Sequence, residues 1–331
     1  MKAAVVGAGL MGSIHAVNLS KMPEASIKWI VDRDKTRGGI LAKFVGARWS
    51  PNIDAVIKDA ETELVIHALP TPFRLPFIKK YMAAGKHIFC EKPLASNLKE
   101  AQAIRDAAKN YKPVFMAGHV VRFFWEYAHA RETILSGGIG KAGIVRLSRC
   151  CGKPASFDKK DNWYLDYKRS GGVFLDLAIH DLDWLLWTFG AAARVFGQNL
   201  GSKGIAEDYG LGIIKFKNGV LAHVEASWAE PDGSFWTGFE ASGTEGMLEY
   251  DMRDAATLTF AEKKKAAGSA SGTIVPESPS SESPYQKEMR HFIQCVQEGA
   301  KPLAGAADAF NAARLAFALM ESARTNKAIE L

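Results

Sequence analysis

In the segment Phe89-Cys90-Glu91-Lys92-Pro93-Leu94 a carboxylate, an amine and a proline stand together behind an apolar run. Lys86 to Cys90 reads as a buried strand, and the preceding Ala83-Ala84-Gly85 closes a helix on a C-terminal glycine. Lysine is seldom buried without a reason, and Pro93 restricts Lys92 to extended backbone, so the amine is aimed. In open α/β sheets ligands bind beyond the carboxyl ends of the strands, which makes Lys92 a candidate to meet a reacting oxygen. For the tripeptide alone, a lysine lying along the core in a βα turn is the competing reading.

A second constellation lies in Ser170–Leu185, a mostly apolar stretch of helical pattern in which Asp176, His180 and Asp183 recur at i, i+4 and i+7. That spacing puts the three on one face. A lone histidine on an apolar helix is more often a satisfied core residue. A carboxylate one turn away changes the case, because it orients the ring and raises its basicity for proton transfer. Gly171-Gly172 before the helix admits close approach of backbone or ligand. Asp176, His180 and Asp183 lack a clear further ligand, so no metal site is expected.

A third group is the turn Gly7-Ala8-Gly9-Leu10-Met11-Gly12, directly after the strand Ala3–Val6 and directly before a helical pattern through Ile14, Val17 and Leu19. In that setting Gly7 allows the tight turn, Gly9 lets the backbone approach a pyrophosphate, and Gly12 lets helix pack on strand. The helix N-terminus offers unpaired N–H groups to the phosphates. Asp32 ends the second strand about 20 residues on, where a carboxylate accepts the adenosine ribose hydroxyls and disfavours a 2′-phosphate. The expected cofactor is therefore NAD, with NADP open through the neighbouring guanidinium of Arg33.

The elements that hold these groups follow from periodicity. Strands at Ile27–Val31, Arg48-Trp49, Leu64–Leu69, Lys86–Cys90 and Pro113–Gly118 alternate with helices, one of them N-capped by Asn97, which means a doubly wound parallel sheet. His119–Phe124 leaves the sheet, with Arg122 placed either to face an oxygen-rich substrate or to pair with a carboxylate. From Gly143 the pattern changes to strands of alternating polarity with an Asn218-Gly219 hairpin. The fold class is therefore α/β: an N-terminal Rossmann domain over residues 1–120, then an α+β domain over residues 121–331 with a mostly antiparallel open sheet. Residues 261–284 read as a loop, and helices at Tyr285–Gln297 and Ala307–Thr325 close the chain, free to pack back on the first domain.

A length of 331 residues fits two domains, and 47% hydrophobic with 24% charged residues is ordinary for a globular protein. The net charge of +6 is mild, and no basic helix face or aromatic-interleaved basic stripe accompanies it, so nucleic acid is not an expected partner. No run is long and apolar enough to span a bilayer, and Met1-Lys2 passes straight into a strand with no room for a signal peptide. The four cysteines lack CxxC spacing, which fits a reducing compartment and a cytoplasmic location.

Taken in order, the glycine turn, the Asp-ended second strand, Glu-Lys-Pro and the Gly-Gly-x-x-x-Asp-x-x-x-His segment resemble the Gfo/Idh/MocA family, which includes glucose–fructose oxidoreductase and inositol dehydrogenase. The resemblance covers essentially the whole chain, including His15, Arg122-Phe123 and Gly138-Ile139-Gly140. It implies an NAD(P)-dependent oxidoreductase acting on the secondary alcohol or carbonyl of a sugar, cyclitol or derivative. It implies that Lys92, Asp176 and His180 form the catalytic set. The cofactor-contacting set is then Gly7, Gly9, Leu10, Met11 and Gly12, with Asp32, Arg33, Leu69, Pro70, Thr71, Glu91 and Lys92. The pattern departs from the family at Ser170, which replaces a usual glycine, and near Leu75, where a histidine is common.

Arg122, Trp163, Tyr164 and Arg169 are candidate substrate contacts, the last three equally readable as sheet packing. The outer face of the second sheet, with Trp228 and Trp236 among its candidates, is an expected surface for a homodimer or homotetramer. Two other functions fit the same fold. One is a catalytically silent dinucleotide-binding regulator, against which the intact Lys92 and His180 argue. The other is a lyase or glycosidase that uses transient oxidation by retained NAD.

Overall fold

The computed structural model describes residues 1–154, 162–201, 208–254 and 282–331. The chain divides into two compact units, the first holding Met1–Phe124 and the segment that ends at Ala313, the second beginning at Trp125 and including Arg314–Leu331.

The first unit is built of β1 (Lys2–Val6), α1 (Leu10–Ser20), β2 (Ser26–Val31), α2 (Lys35–Phe44), β3 (Arg48–Ser50), α3 (Asp54–Ile57), β4 (Thr62–His67), α4 (Arg74–Ala83), β5 (His87–Glu91), α5 (Leu98–Ala108) and β6 (Phe115–Gly118). All pairings are parallel, in the order β3-β2-β1-β4-β5-β6. The order reverses direction between β1 and β4, and the crevice at the carboxyl ends there is where such sheets take a dinucleotide. Strands β1, β4 and β5 are buried nearly throughout, as parallel strands covered on both faces must be. The expected helix signals are realised: the Asn97 side chain accepts the Glu100 N–H at the start of α5, and Gly85 ends the α4 segment at φ +66°.

The second unit contains α6 (Trp125–Leu135), β7 (Ala142–Gly152), three short helices α7 (Tyr167–Ser170), α8 (Gly172–Asp176) and α9 (Ile179–Phe189), then β8 (Ala192–Leu200), β9 (Tyr209–Phe216), β10 (Leu221–Glu230), β11 (Phe235–Gly243) and β12 (Met247–Asp251). The chain ends with α10 (Pro284–Glu298), α11 (Ala306–Thr325) and β13 (Ile329–Glu330). The second sheet runs β12-β11-β7-β10-β9-β8-β13 and is antiparallel except for β7 with β10. α10 belongs to the first unit, where Phe292 meets Phe89 edge-on at 5.9 Å and Met289 and Ile293 join the core around α1. Its start carries a Ser283 cap on the Gln286 N–H and Pro284 at the first helical position. The expected loop 261–284 lies outside the described residues, apart from its end leading into α10.

Two expectations are corrected. Trp228 is buried at 1% exposure, not on the outer face, because it keeps the phase of the inward-facing Ala222, Val224 and Ala226 along β10. Ser170–Leu185 is not one helix: it breaks at Gly171 and again at Leu177-Ala178, so Asp176 ends α8 while His180 begins α9.

Candidate active site

The glycine turn leaves β1 with Gly7 at φ +101°, a conformation that glycine alone adopts without strain. A methyl group at Gly12 would lie 1.8 Å from the Gly7 carbonyl oxygen, so α1 rests directly on the turn. At Gly9 the same methyl would meet nothing within 4 Å, so the turn presents open backbone there. No side chain caps α1 at Gly9, and no acidic residue lies in its first turn. Open backbone on one side and orphan N–H groups on the other fit a pyrophosphate, and the residues present therefore fit NAD(P).

Asp32 is tied to this turn. Its Oδ2 accepts the Ala8 N–H at 2.7 Å and its Oδ1 accepts the Asp34 N–H at 2.9 Å, while the Gly7 N–H donates to the Val31 carbonyl. The carboxylate is also gripped by Arg37, whose Nη2 lies 2.8 Å from Oδ1 and whose Nε lies 3.2 Å from Oδ2. Arg37 reaches Asp32 from the first turn of α2, which Asp34 caps by accepting the Thr36 and Arg37 N–H groups. Arg33, the guanidinium expected at the ribose, is exposed and lies over the Phe73 ring at 5.8 Å. In the sequence Arg37 is marked only by its place one turn into a helix capped two residues after Asp32.

At the end of β5, Glu91 is buried and Lys92 half-buried. Glu91 Oε1 lies 2.5 Å from His15 Nε2 of α1, and Glu91 Oε2 accepts the Lys92 N–H at 3.1 Å. Burial alone would raise the Glu91 carboxyl, but the hydrogen bond and charge of His15, with Lys92 and Arg74 behind it, hold it below the ordinary range. The Lys92 carbonyl accepts Arg74 Nη2 at 2.8 Å, and Arg74 Nη1 donates to Thr71 Oγ1 at 3.2 Å. Arg74 is buried and fixes the turn after β4, Leu69-Pro70-Thr71, to the turn after β5. Nothing local distinguishes Arg74 in the sequence, since its role depends on a partner 18 residues away. The Lys92-Pro93 peptide is cis. Nearby His67 is held neutral, its value pushed down to about 3 by burial and by the charge of Arg74.

Arg122 is buried at 3% exposure, donates to the Leu303 carbonyl at 2.6 Å and pairs with Asp308 at 3.5 Å. Of the two roles the sequence left open, the structure displays the carboxylate pairing.

In the second unit, Asp176 and His180 are half-buried and Asp183 is buried. Gly171 adopts φ +76° and Gly172 φ +64°, which turns the chain sharply into α8. Next to His180, Asp181 is fully buried and forms a paired bridge with Arg149 of β7, at 2.8 Å to Nε and 2.7 Å to Nη2. That pair pins the first turn of α9 to the sheet, and with it His180. Trp163 and Tyr164 are half-buried with ring centroids 4.1 Å apart, just before α7, which carries Arg169. Among the described residues no group of three or more His, Cys, Asp or Glu is arranged to hold a metal ion.

Two family models match the chain: an oxidoreductase family with an NAD-binding Rossmann fold over residues 1–119, and the GFO/IDH/MocA C-terminal domain over residues 127–249. Scyllo-inositol 2-dehydrogenase (NAD(+)) of Bacillus subtilis is 31% identical, covering 100% of this chain and 96% of that protein. The chain belongs to the Gfo/Idh/MocA family. It is an NAD(P)-dependent oxidoreductase of that family, acting on CH–OH groups through a Rossmann domain that binds NAD. Myo-inositol 2-dehydrogenase of Thermotoga maritima is 26% identical, covering 100% of this chain and 98% of that one. Among solved structures, GenD2 from gentamicin A biosynthesis, in complex with NAD, is 27% identical with a TM-score of 0.89, covering 100% of this chain and 96% of that chain.

Proposed function

We propose that this protein is an NAD-preferring dehydrogenase that oxidises a secondary alcohol of a polyhydroxylated small molecule, a sugar or a cyclitol. The observation that carries the reading is the turn at Gly9, open to a pyrophosphate and joined through Ala8 to the Asp32 carboxylate. The full-length relatives named as inositol 2-dehydrogenases support the substrate class.

Bound NAD(P) supplies the redox chemistry as a hydride carrier. In this reading the Lys92 amine donates a hydrogen bond to the reacting oxygen and stabilises its alkoxide character. His180 takes the hydroxyl proton during oxidation and returns it during reduction, with Asp176 orienting the ring or holding a neighbouring hydroxyl. Trp163 and Tyr164 offer an apolar platform, and Arg169 a hydroxyl clamp. Arg122, held by Leu303 and Asp308, is better suited to bracing the C-terminal segment than to the substrate.

Self-association is proposed through the outer face of the second sheet, where Ile144 opposes Leu221 and Ile213 lies on the next strand, each more than two-fifths exposed. A reducing, cytoplasmic setting is supported by four buried free cysteines. Among the described residues no helix is long and apolar enough to cross a membrane.

The test is titration of the protein with NADH and NADPH, read by fluorescence. NADH is expected to bind more tightly. Asp32→Asn is expected to weaken NADH about tenfold or more, the scale of a lost hydrogen bond to a charged group, and to narrow the preference over NADPH. A well-folded protein that binds neither nucleotide contradicts the reading.

A further inference from the structure

Five features around Glu91 stand apart from the roles assigned so far. The His15 and Glu91 side chains are 0% and 7% exposed, so the pair is shut inside the first unit. Both carboxylate oxygens of Glu91 are used, Oε1 on His15 of α1 and Oε2 on the backbone N–H of Lys92. The imidazole is set edge-on to Phe89 at 5.0 Å and to Tyr285 at 6.3 Å. His15 Nδ1 has no hydrogen-bond partner among the described residues, so Nε2 alone fixes the ring through a polar contact. The slot is tight: a methyl group at Gly118 of β6 would come within 3.2 Å of Glu91 Oε2.

Burying an imidazole and a carboxylate costs more than filling the same space with apolar side chains. What the polar pair provides that an apolar pair cannot is direction. It links two segments with separate duties, the helix that opens at the glycine turn and the turn that carries Lys92. We propose that His15 and Glu91 are positioning residues, a buried brace that fixes the Lys92 amine relative to the helix opening the cofactor site. The brace holds the Lys92 N–H, while Arg74 holds the Lys92 carbonyl from α4, so both main-chain groups of this residue are anchored. The inference rests on the reading of Lys92 as the group that meets the reacting oxygen.

His15→Leu removes the hydrogen bond and keeps apolar bulk, whereas His15→Gln returns an N–H donor at the reach of Nε2. Each is compared with the parent and with Lys92→Ala for kcat, KM and NADH affinity on a polyol the parent oxidises. His15→Leu is expected to lower kcat about 10- to 100-fold, the scale of an ångström-level misplacement, with KM and NADH affinity within about threefold of the parent. His15→Gln is expected to recover most of that loss. Parent-like turnover in His15→Leu overturns the proposal, as does equal impairment of the Leu and Gln variants, which marks a packing role. Unchanged turnover in Lys92→Ala overturns the reading of Lys92, and the brace with it.

Glu91→Gln provides the same comparison from the other partner should His15→Leu not fold, with parent-like kcat again overturning the proposal. Should the parent oxidise no polyol offered, amide hydrogen exchange without ligand decides. Faster exchange at the Lys92 peptide in His15→Leu, with the Gly7–Gly12 peptide unchanged, supports the brace, and unchanged exchange at Lys92 overturns it.

Discussion

Asp32 does three things with one carboxylate: it holds the glycine turn through Ala8, it orders its own turn through Asp34, and it pairs with Arg37. In the proposed function the ribose hydroxyls of a dinucleotide would be a fourth set of donors to the same carboxylate. His180 is simpler, since its position follows from α9 and from the buried Asp181–Arg149 pair beside it. If His180 moves the hydroxyl proton, His180→Ala lowers turnover about 10²- to 10⁴-fold with NADH affinity kept. A loss below about tenfold in a folded, NADH-binding variant assigns that proton to another group. Asp32, Lys92 and His180 were legible as candidates because each sits in a short local pattern. Arg74 and Asp181 were not, because each gains meaning only from a partner brought near by the fold.

At the scale of elements, a strand followed at once by glycines and a helix reads plainly, because turn, strand and helix are consecutive. Gly12→Ala tests that turn. With the Gly7 oxygen 1.8 Å from the new methyl, α1 must lift off the turn. NADH affinity is expected to fall at least tenfold while far-UV circular dichroism stays near the parent's, and unchanged affinity contradicts the packing described for α1. The Ser170–Leu185 segment was misread as one helix for a physical reason. Its apolar spacing continues through Leu177 and Ala178 without proline or glycine, so nothing in the pattern marks the break. The i, i+4 spacing of Asp176 and His180 therefore brackets a helix junction. In the second sheet, the parallel pairing of β7 with β10 depends on neighbours distant in sequence.

Over the whole molecule, the first unit separates a stabilising polar hub from the candidate site along its strands. The carboxyl ends carry the glycine turn, Asp32 and Lys92. The amino ends carry a polar hub at Asp59, which accepts Lys28 and Trp29 of β2 and Thr62 of β4, each at 2.8 Å. Lys86 Nζ seals the same corner by donating to the Asp59 and Thr62 carbonyls, each at 2.7 Å. Burial would raise the Asp59 carboxyl, but the bonds from Lys28, Trp29 and Thr62 together hold it well below its ordinary 3.8. A carboxyl lowered in the folded state binds protons more readily when unfolded. Its contribution is complete above the ordinary carboxylate value and is lost as pH falls through the folded one. Urea midpoints are therefore expected to drop as pH goes from about 5 to 2, and Asp59→Asn to be less stable at neutral pH with a shallower decline. An equally steep decline in Asp59→Asn contradicts this assignment.

The central claim is net hydride transfer from a polyol to NAD, and one experiment reads it without a choice of base or subunit number. The protein is incubated with NAD and a cyclitol or aldose deuterated at its carbinol carbons, and the released nucleotide is analysed by mass spectrometry. The account predicts NADH carrying one deuterium, formed over many turnovers and lost in Lys92→Ala. Product formation without released NADH, with the deuterium returned to the sugar, would contradict it and mark an enzyme that oxidises only in passing.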